Sequence, residues 1–258
     1  MDENLIVKIN YEISQIDKLF DKSQLLIEKS LLQTPDYVKL TALGSILHSY
    51  YNGIESIFLI ISKNIDRQTL DSERTNGNGS LMRIAPLALY TRDMEIGQRY
   101  ELCREVSSIT HRHTVSVTAC FILIELLRNI TLGQDKPIAY RNVINETIPY
   151  LNKITDNETM AKFDRLPNIT ALSKNELKSG GYVIETIEAS MWCFMNTQCY
   201  ADAVLSAVNL GHDTDTTAAV TGAIAGLYYG TDGIPSEWIR DLKNKELIEA
   251  VAKKWDDK

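Results

Sequence analysis

The sequence predicts an all-α protein, and three observations carry that reading. Apolar residues recur at three- and four-residue steps along nearly the whole chain. No window shows sustained period-two alternation bounded by hairpin turns, so a sheet of any size is excluded. Prolines fall at helix-start positions, as at Pro35, Pro137 and Pro235. With 258 residues, 44% apolar and 24% charged, the chain is long enough for a sizeable core and too apolar for global disorder.

From Leu5 to Leu32, Ile9, Ile13, Ile16 and Phe20 mark one helix face among Lys, Asp and Glu. Thr34-Pro35-Asp36 opens a second helix with a hydroxyl cap and proline in the first turn. Leu40, Leu43, Leu47, Tyr50, Ile54, Ile57 and Ile61 then alternate steps of three and four, an a/d seam. Residues 1–66 therefore read as an antiparallel helical hairpin whose stripe needs a covering surface, either the main bundle or a second copy meeting it through residues 40–61. Residues 67–74 read as a linker or fusion seam, and 75–258 as the larger domain. In that domain the spacing predicts helices over 93–107, 112–130, 137–154, 182–196, 199–209, 215–229 and 236–254.

The formal charge is -7, against a non-specific nucleic-acid binder, which needs a basic surface. The start, Met1-Asp2-Glu3-Asn4, lacks the basic-then-apolar layout of a signal peptide, and the run Ile57 to Ile61 is far short of a membrane span. Cys103, Cys120, Cys193 and Cys199 show no metal or disulfide spacing and read as reduced thiols. The expectation is a cytoplasmic protein with no membrane partner.

Four stretches could carry chemistry. In Asn76-Gly77-Asn78-Gly79-Ser80, followed by Met82-Arg83, Asn and Gly favour left-handed backbone, so successive N–H groups can form an anion-binding concavity. A helix opening near Ser80 and the charge of Arg83 would reinforce it, while the plainer reading is a tight interhelical turn. In Asp213-Thr214-Asp215-Thr216, hard oxygens of Asp213, Asp215 and Thr216 at a helix start can face one Mg²⁺ or Mn²⁺, or one acid can simply cap the helix. In Thr110-His111-Arg112-His113, the i, i+2 spacing puts the two histidines on different helix faces, unsuited to sharing a metal. His111 can instead hydrogen-bond a ligand hydroxyl or purine edge, or serve as a cap. In Gly180-Gly181-Tyr182, the glycines give a flexible turn and Tyr182 can stack on a base or ribose; Glu185 and Glu188, one turn apart, read as a solvated face.

Taken in order, these segments resemble the ADP-ribosylglycohydrolase family over residues 73–258. The strongest parts are Asn76 to Ser80 with Arg83 and Pro86, and Asn209-Leu210-Gly211-His212-Asp213-Thr214-Asp215-Thr216 with Gly222, Gly226, Gly230 and Pro235. The resemblance implies an all-α bundle whose cleft binds ADP-ribose beside two Mg²⁺ or Mn²⁺ ions. These would orient ribose hydroxyls and a water that cleaves the glycosidic bond to a modified side chain or related acceptor. It further implies Asp213, Asp215 and Thr216 as metal ligands, and Asn78, Gly79, Ser80, His111 and Tyr182 as ligand contacts. The bundle is N-terminally incomplete: residues 1–72 contain neither the family's Gly-Asp-Ala-type turn nor its Thr-Asp-Asp run, which supply the other metal ligands.

In their place, Leu43 to Glu55 is similar to small helical HEPN-type proteins, without their Arg…His ribonuclease motif. The leading expectation is a metal-dependent hydrolase acting on ADP-ribosylated protein. One alternative is a catalytically inactive ADP-ribose-binding or structural protein on the same scaffold; a second is a HEPN-like partner- or RNA-binding module.

Overall fold

The computed structural model describes residues 76–242 and, beyond them, only positions 7, 10–11, 13–18, 245–246 and 249. The chain divides into two compact units, Met1–Thr69 and Leu70–Lys258. In the first, the described positions are helical. The predicted seam over 40–61, the linker over 67–74 and the HEPN-like segment lie outside the described residues.

Among the described residues of the second unit the structure is helical without a strand, as the periodicity requires. One-turn helices α1 (Leu81–Ile84) and α2 (Leu87–Tyr90) are followed by α3 (Ile96–Ser108) and α4 (Thr114–Thr131). Next come α5 (Lys136–Asn142), α6 (Ile148–Ile154), α7 (Asn157–Ala161), α8 (Val183–Met195), α9 (Tyr200–Val208), α10 (Thr214–Tyr229) and α11 (Ser236–Arg240). The core is built around α4, which packs against α1, α2, α3, α5, α8 and α10. This helix is apolar and long enough to cross a bilayer, yet 83% of it is buried inside the unit, which accounts for its composition.

The segment predicted as one helix over 137–154 is α5 and α6 joined by a π turn, Val143–Thr147. Proline supplies the reason: Pro149 has no N–H to return to the preceding turn, and its ring crowds the carbonyl there. Widening the helix keeps it continuous, with the Ile148 N–H returning to the Val143 carbonyl.

Helices α8, α9 and α10 form a close trio. Gly222 and Gly226 let α9 approach α10: side-chain carbons built on them would stand 3.4 Å from the Tyr200 hydroxyl and 3.6 Å from its ring. At the far end of α8 the buried Lys136 ammonium donates to the Phe194 and Thr197 carbonyls at 2.9 and 2.7 Å. It also stands 4.5 Å from the Phe194 ring centre and 4.8 Å from that of Tyr229. A cation here satisfies carbonyls that the end of α8 leaves unpaired, and it opposes the negative end of the helix dipole. Lys136→Met is expected to cost about 2 kcal/mol, the worth of lost charge-assisted hydrogen bonds, read as a lower urea midpoint.

Candidate functional site

The loop from Asn76 to Ser80 is pinned on both sides. The Asn76 side-chain oxygen accepts from Ser116 on α4 at 2.9 Å, and its carbonyl accepts the Val183 N–H of α8 at 3.0 Å. The Asn78 N–H donates to the Gly181 carbonyl at 3.0 Å, so Gly77 and Tyr182 pair as an isolated bridge. The buried Asn78 carboxamide donates to Asp213 Oδ2 at 2.7 Å and to Thr186 Oγ1 at 2.9 Å.

The third segment arrives through two left-handed residues, Gly211 (φ 88°) and His212 (φ 60°). Glycine is at ease in this region; histidine adopts it at a cost of about 1 kcal/mol, and the turn aims Asp213 back at the loop. The Asp213 N–H donates to the Ser179 carbonyl at 2.9 Å, and the Ser179 hydroxyl to the Gly211 carbonyl at 2.8 Å. The Asn78 amide, followed by the side chains of Thr216 and Asp215, holds the Asp213 carboxyl below the usual carboxylate range. Asp213, Asp215 and Thr216 thus share one corner, with Asp215 exposed and Thr216 buried.

His111 completes the cluster. Its ring lies against the glycine loop, with Cε1 3.0 Å and Nε2 3.5 Å from where a Gly79 side-chain carbon would stand, so only glycine fits there without displacing the ring. Its Nδ1 is 2.7 Å from the Thr110 hydroxyl. Burial, then the nearby Arg83, lowers its pKa, keeping the imidazole neutral at physiological pH. Capping falls to the other histidine: His113 Nδ1 accepts the Val115 N–H at 3.3 Å and starts α4.

Of the expected site residues, Asn78, Gly79, His111, Tyr182, Asp213, Asp215 and Thr216 therefore meet where α4, α8 and α10 begin. Ser80 differs. It is 0% exposed and turned into the core, where its oxygen accepts from the Cys120 thiol at 3.4 Å. The helix it opens is a single turn, too short for a useful dipole. Arg83 also departs from the expectation of a free charge: its guanidinium donates to the Gly79, Val106 and Ser107 carbonyls, tying the loop to the end of α3.

Sequence reasoning missed Thr186, whose only signal is a hydroxyl one turn beyond Tyr182, and it misplaced Glu188. Glu185 is half-buried over the turn, accepting the Gly180 N–H at 3.0 Å. Glu188, expected on a solvated face, is buried, with one oxygen 3.3 Å from Arg165 and the other without a hydrogen-bond partner. Burial is the larger influence and raises its pKa. The native state then penalises the charged form: the penalty is complete above the raised pKa and vanishes below the unfolded value. Glu188→Gln is therefore expected to raise the melting temperature at neutral pH. The gain should fade as pH falls toward about 4, the ordinary glutamate range.

The donors at the Asp213 corner are oxygens, which suits a hard cation. Among the described residues no three His, Cys, Asp or Glu side chains form a ready-made metal cluster. Two carboxylates and a hydroxyl nevertheless fit a single Mg²⁺, which keeps several waters and commonly takes one or two protein carboxylates.

Fold and site together define an all-α protein whose candidate site is assembled from a glycine-rich loop and the starts of three core helices. The chain belongs to the ADP-ribosylglycohydrolase family, whose model matches residues 33–257. It is 32% identical over 184 residues to an ADP-ribosylarginine hydrolase of Pseudomonas putida, covering 71% of this chain and 47% of that protein. It is 28% identical over 177 residues to an ADP-ribosyl-dinitrogen reductase glycohydrolase of Rhodospirillum rubrum, covering 67% and 53%. A solved structure described as an ADP-ribosylglycohydrolase-related protein complex superposes with a TM-score of 0.63 at 26% identity, covering 91% of this chain and 78% of that one. The chain spans about half the length of the two sequence relatives.

Proposed function

We propose that this chain is a hydrolase that releases ADP-ribose from an ADP-ribosylated protein side chain, with arginine the acceptor favoured by the named relatives. The observation that carries this is the meeting of the Asn78 loop and the Asp213 helix start at 2.7 Å, which brings the family's motif residues together in one corner. Asp213, Asp215 and Thr216 would hold one Mg²⁺ or Mn²⁺ ion. When bound, the ion supplies Lewis-acid polarisation and orientation of ribose hydroxyls and water.

The remaining roles fall to the chain itself. The starts of α4 and α10 present positive dipole ends, which offset the net charge of -7 where a pyrophosphate would lie. Gly79 and Gly181 let the His111 ring and the Asp213 carboxylate close onto the loop backbone, 3.0 and 3.5 Å from where their side-chain carbons would stand. Neutral His111 can exchange a hydrogen bond with a ribose hydroxyl or purine edge, and half-buried Tyr182 offers a stacking face.

The test is release of free ADP-ribose from an arginine-ADP-ribosylated protein, followed in Mg²⁺ and in EDTA. Turnover that needs Mg²⁺ is the expected result. Absence of turnover on arginine-, serine- and polymer-linked substrates by the folded chain would overturn the proposal.

A further inference from the structure

We propose that Asn78 is a positioning residue for the cation-facing carboxylate of Asp213, and not a ligand contact; this rests on the metal reading of the Asp213 corner given above. The carboxamide faces two oxygens, Asp213 Oδ2 at 2.7 Å and Thr186 Oγ1 at 2.9 Å. An ionised carboxylate can only accept, so the amide nitrogen faces it and both its hydrogens are spent inside the protein. Neither remains for a ribose or phosphate oxygen.

The amide is itself held. Its residue is 8% exposed, its backbone N–H is tied to the Gly181 carbonyl at 3.0 Å, and the Asn76 carbonyl two residues earlier is tied to Val183 at 3.0 Å. On the opposite side the Asp213 backbone is fixed to Ser179 at 2.9 Å. The carboxamide thus bridges two segments whose backbones are separately anchored to the same turn, Ser179 to Val183. It fixes Oδ2 of Asp213, whose carboxyl is also held by the side chains of Thr216 and Asp215, the other two groups that would face the cation. An uncharged donor is well suited here, because it orients the carboxylate without competing for a cation. Partners that orient metal ligands in this way typically change metal affinity by about 10–100-fold when lost.

The experiment is calorimetric titration of Mg²⁺ alone into the full chain, comparing wild type, Asn78→Ala, Asn78→Asp and Thr186→Val, with thermal unfolding of each in EDTA. Asn78→Ala is expected to weaken Mg²⁺ binding about 10–100-fold in a protein that is still folded. Thr186→Val, which removes only the far anchor, should fall between wild type and Asn78→Ala. Asn78→Asp adds a second carboxylate against Asp213 and should lower its melting temperature in EDTA more than Asn78→Ala does, with Mg²⁺ reversing the order. If the alanine variant fails to fold, the threonine variant decides by the same readout. Wild-type Mg²⁺ affinity retained in folded Asn78→Ala, or in Thr186→Val where that variant decides, overturns the proposal while the metal reading stands. Absence of Mg²⁺ binding by the wild type overturns the metal reading and this proposal with it.

Discussion

Asp213→Ala is expected to remove hydrolysis and Mg²⁺ binding together while leaving the chain folded. The carboxylate is the point at which the corner closes: it accepts from Asn78 at 2.7 Å, lies beside Thr216 and Asp215, and starts α10. Deleting it halves the carboxylate charge that would face the ion and leaves only an exposed acid and a hydroxyl. The loss should exceed the roughly 10–100-fold that removal of an outer-shell partner brings. It is checked by single-turnover release of ADP-ribose and by Mg²⁺ titration of the same preparation. Folding should survive, because the helix start keeps its backbone bond to Ser179 and the Asp213 side chain makes no capping hydrogen bond there to lose.

The largest effect on stability is expected at a buried ion pair on the central helix. Arg99 on α3 and Glu125 on α4 form a two-pronged pair at 2.6 and 2.7 Å, with side chains 6% and 4% exposed. Arg99 also donates to the Met94 carbonyl, so the pair closes the turn before α3 onto the central helix. Arg99→Met would strand a carboxylate in the core at a cost of about 3–5 kcal/mol. For a unit of this size that is a fall of about 6–20 °C in melting temperature. Adding Glu125→Leu should recover much of the loss, since exchanging both charges for apolar groups removes the desolvation penalty along with the attraction. Calorimetric melting of both single variants and the double variant checks this, and strictly additive losses would contradict it.

The long helices were legible because each buries a wide face and so repeats its apolar residues at helical spacing; α3, α4, α8, α9 and α10 all begin within three residues of the predicted starts. The short ones were not. A single turn such as α1, or five residues such as α7, holds too few apolar positions to show a period. Pro149 was visible, but a proline says only that a hydrogen bond is missing and not that the helix widens to go on.

The site divides in the same way. Asp213, Asp215 and the paired glycines carry their chemistry in their types and spacing. Their contacts do not, because Asn78 is 108 residues from Thr186 and 135 from Asp213. His111 and His113 are the same residue type two positions apart, and only packing separates a ring laid against the glycine loop from a helix cap. Ser80 and Glu188 were misplaced for a related reason: a polar side chain gives no sign in sequence that it faces inward, where Cys120 and Arg165 meet them.

The most direct test is titration calorimetry of ADP-ribose into the purified, folded chain, once with Mg²⁺ and once with EDTA. The account predicts binding that requires Mg²⁺ and is lost in Asp213→Ala. Equal binding in both buffers, or none in either, would contradict it.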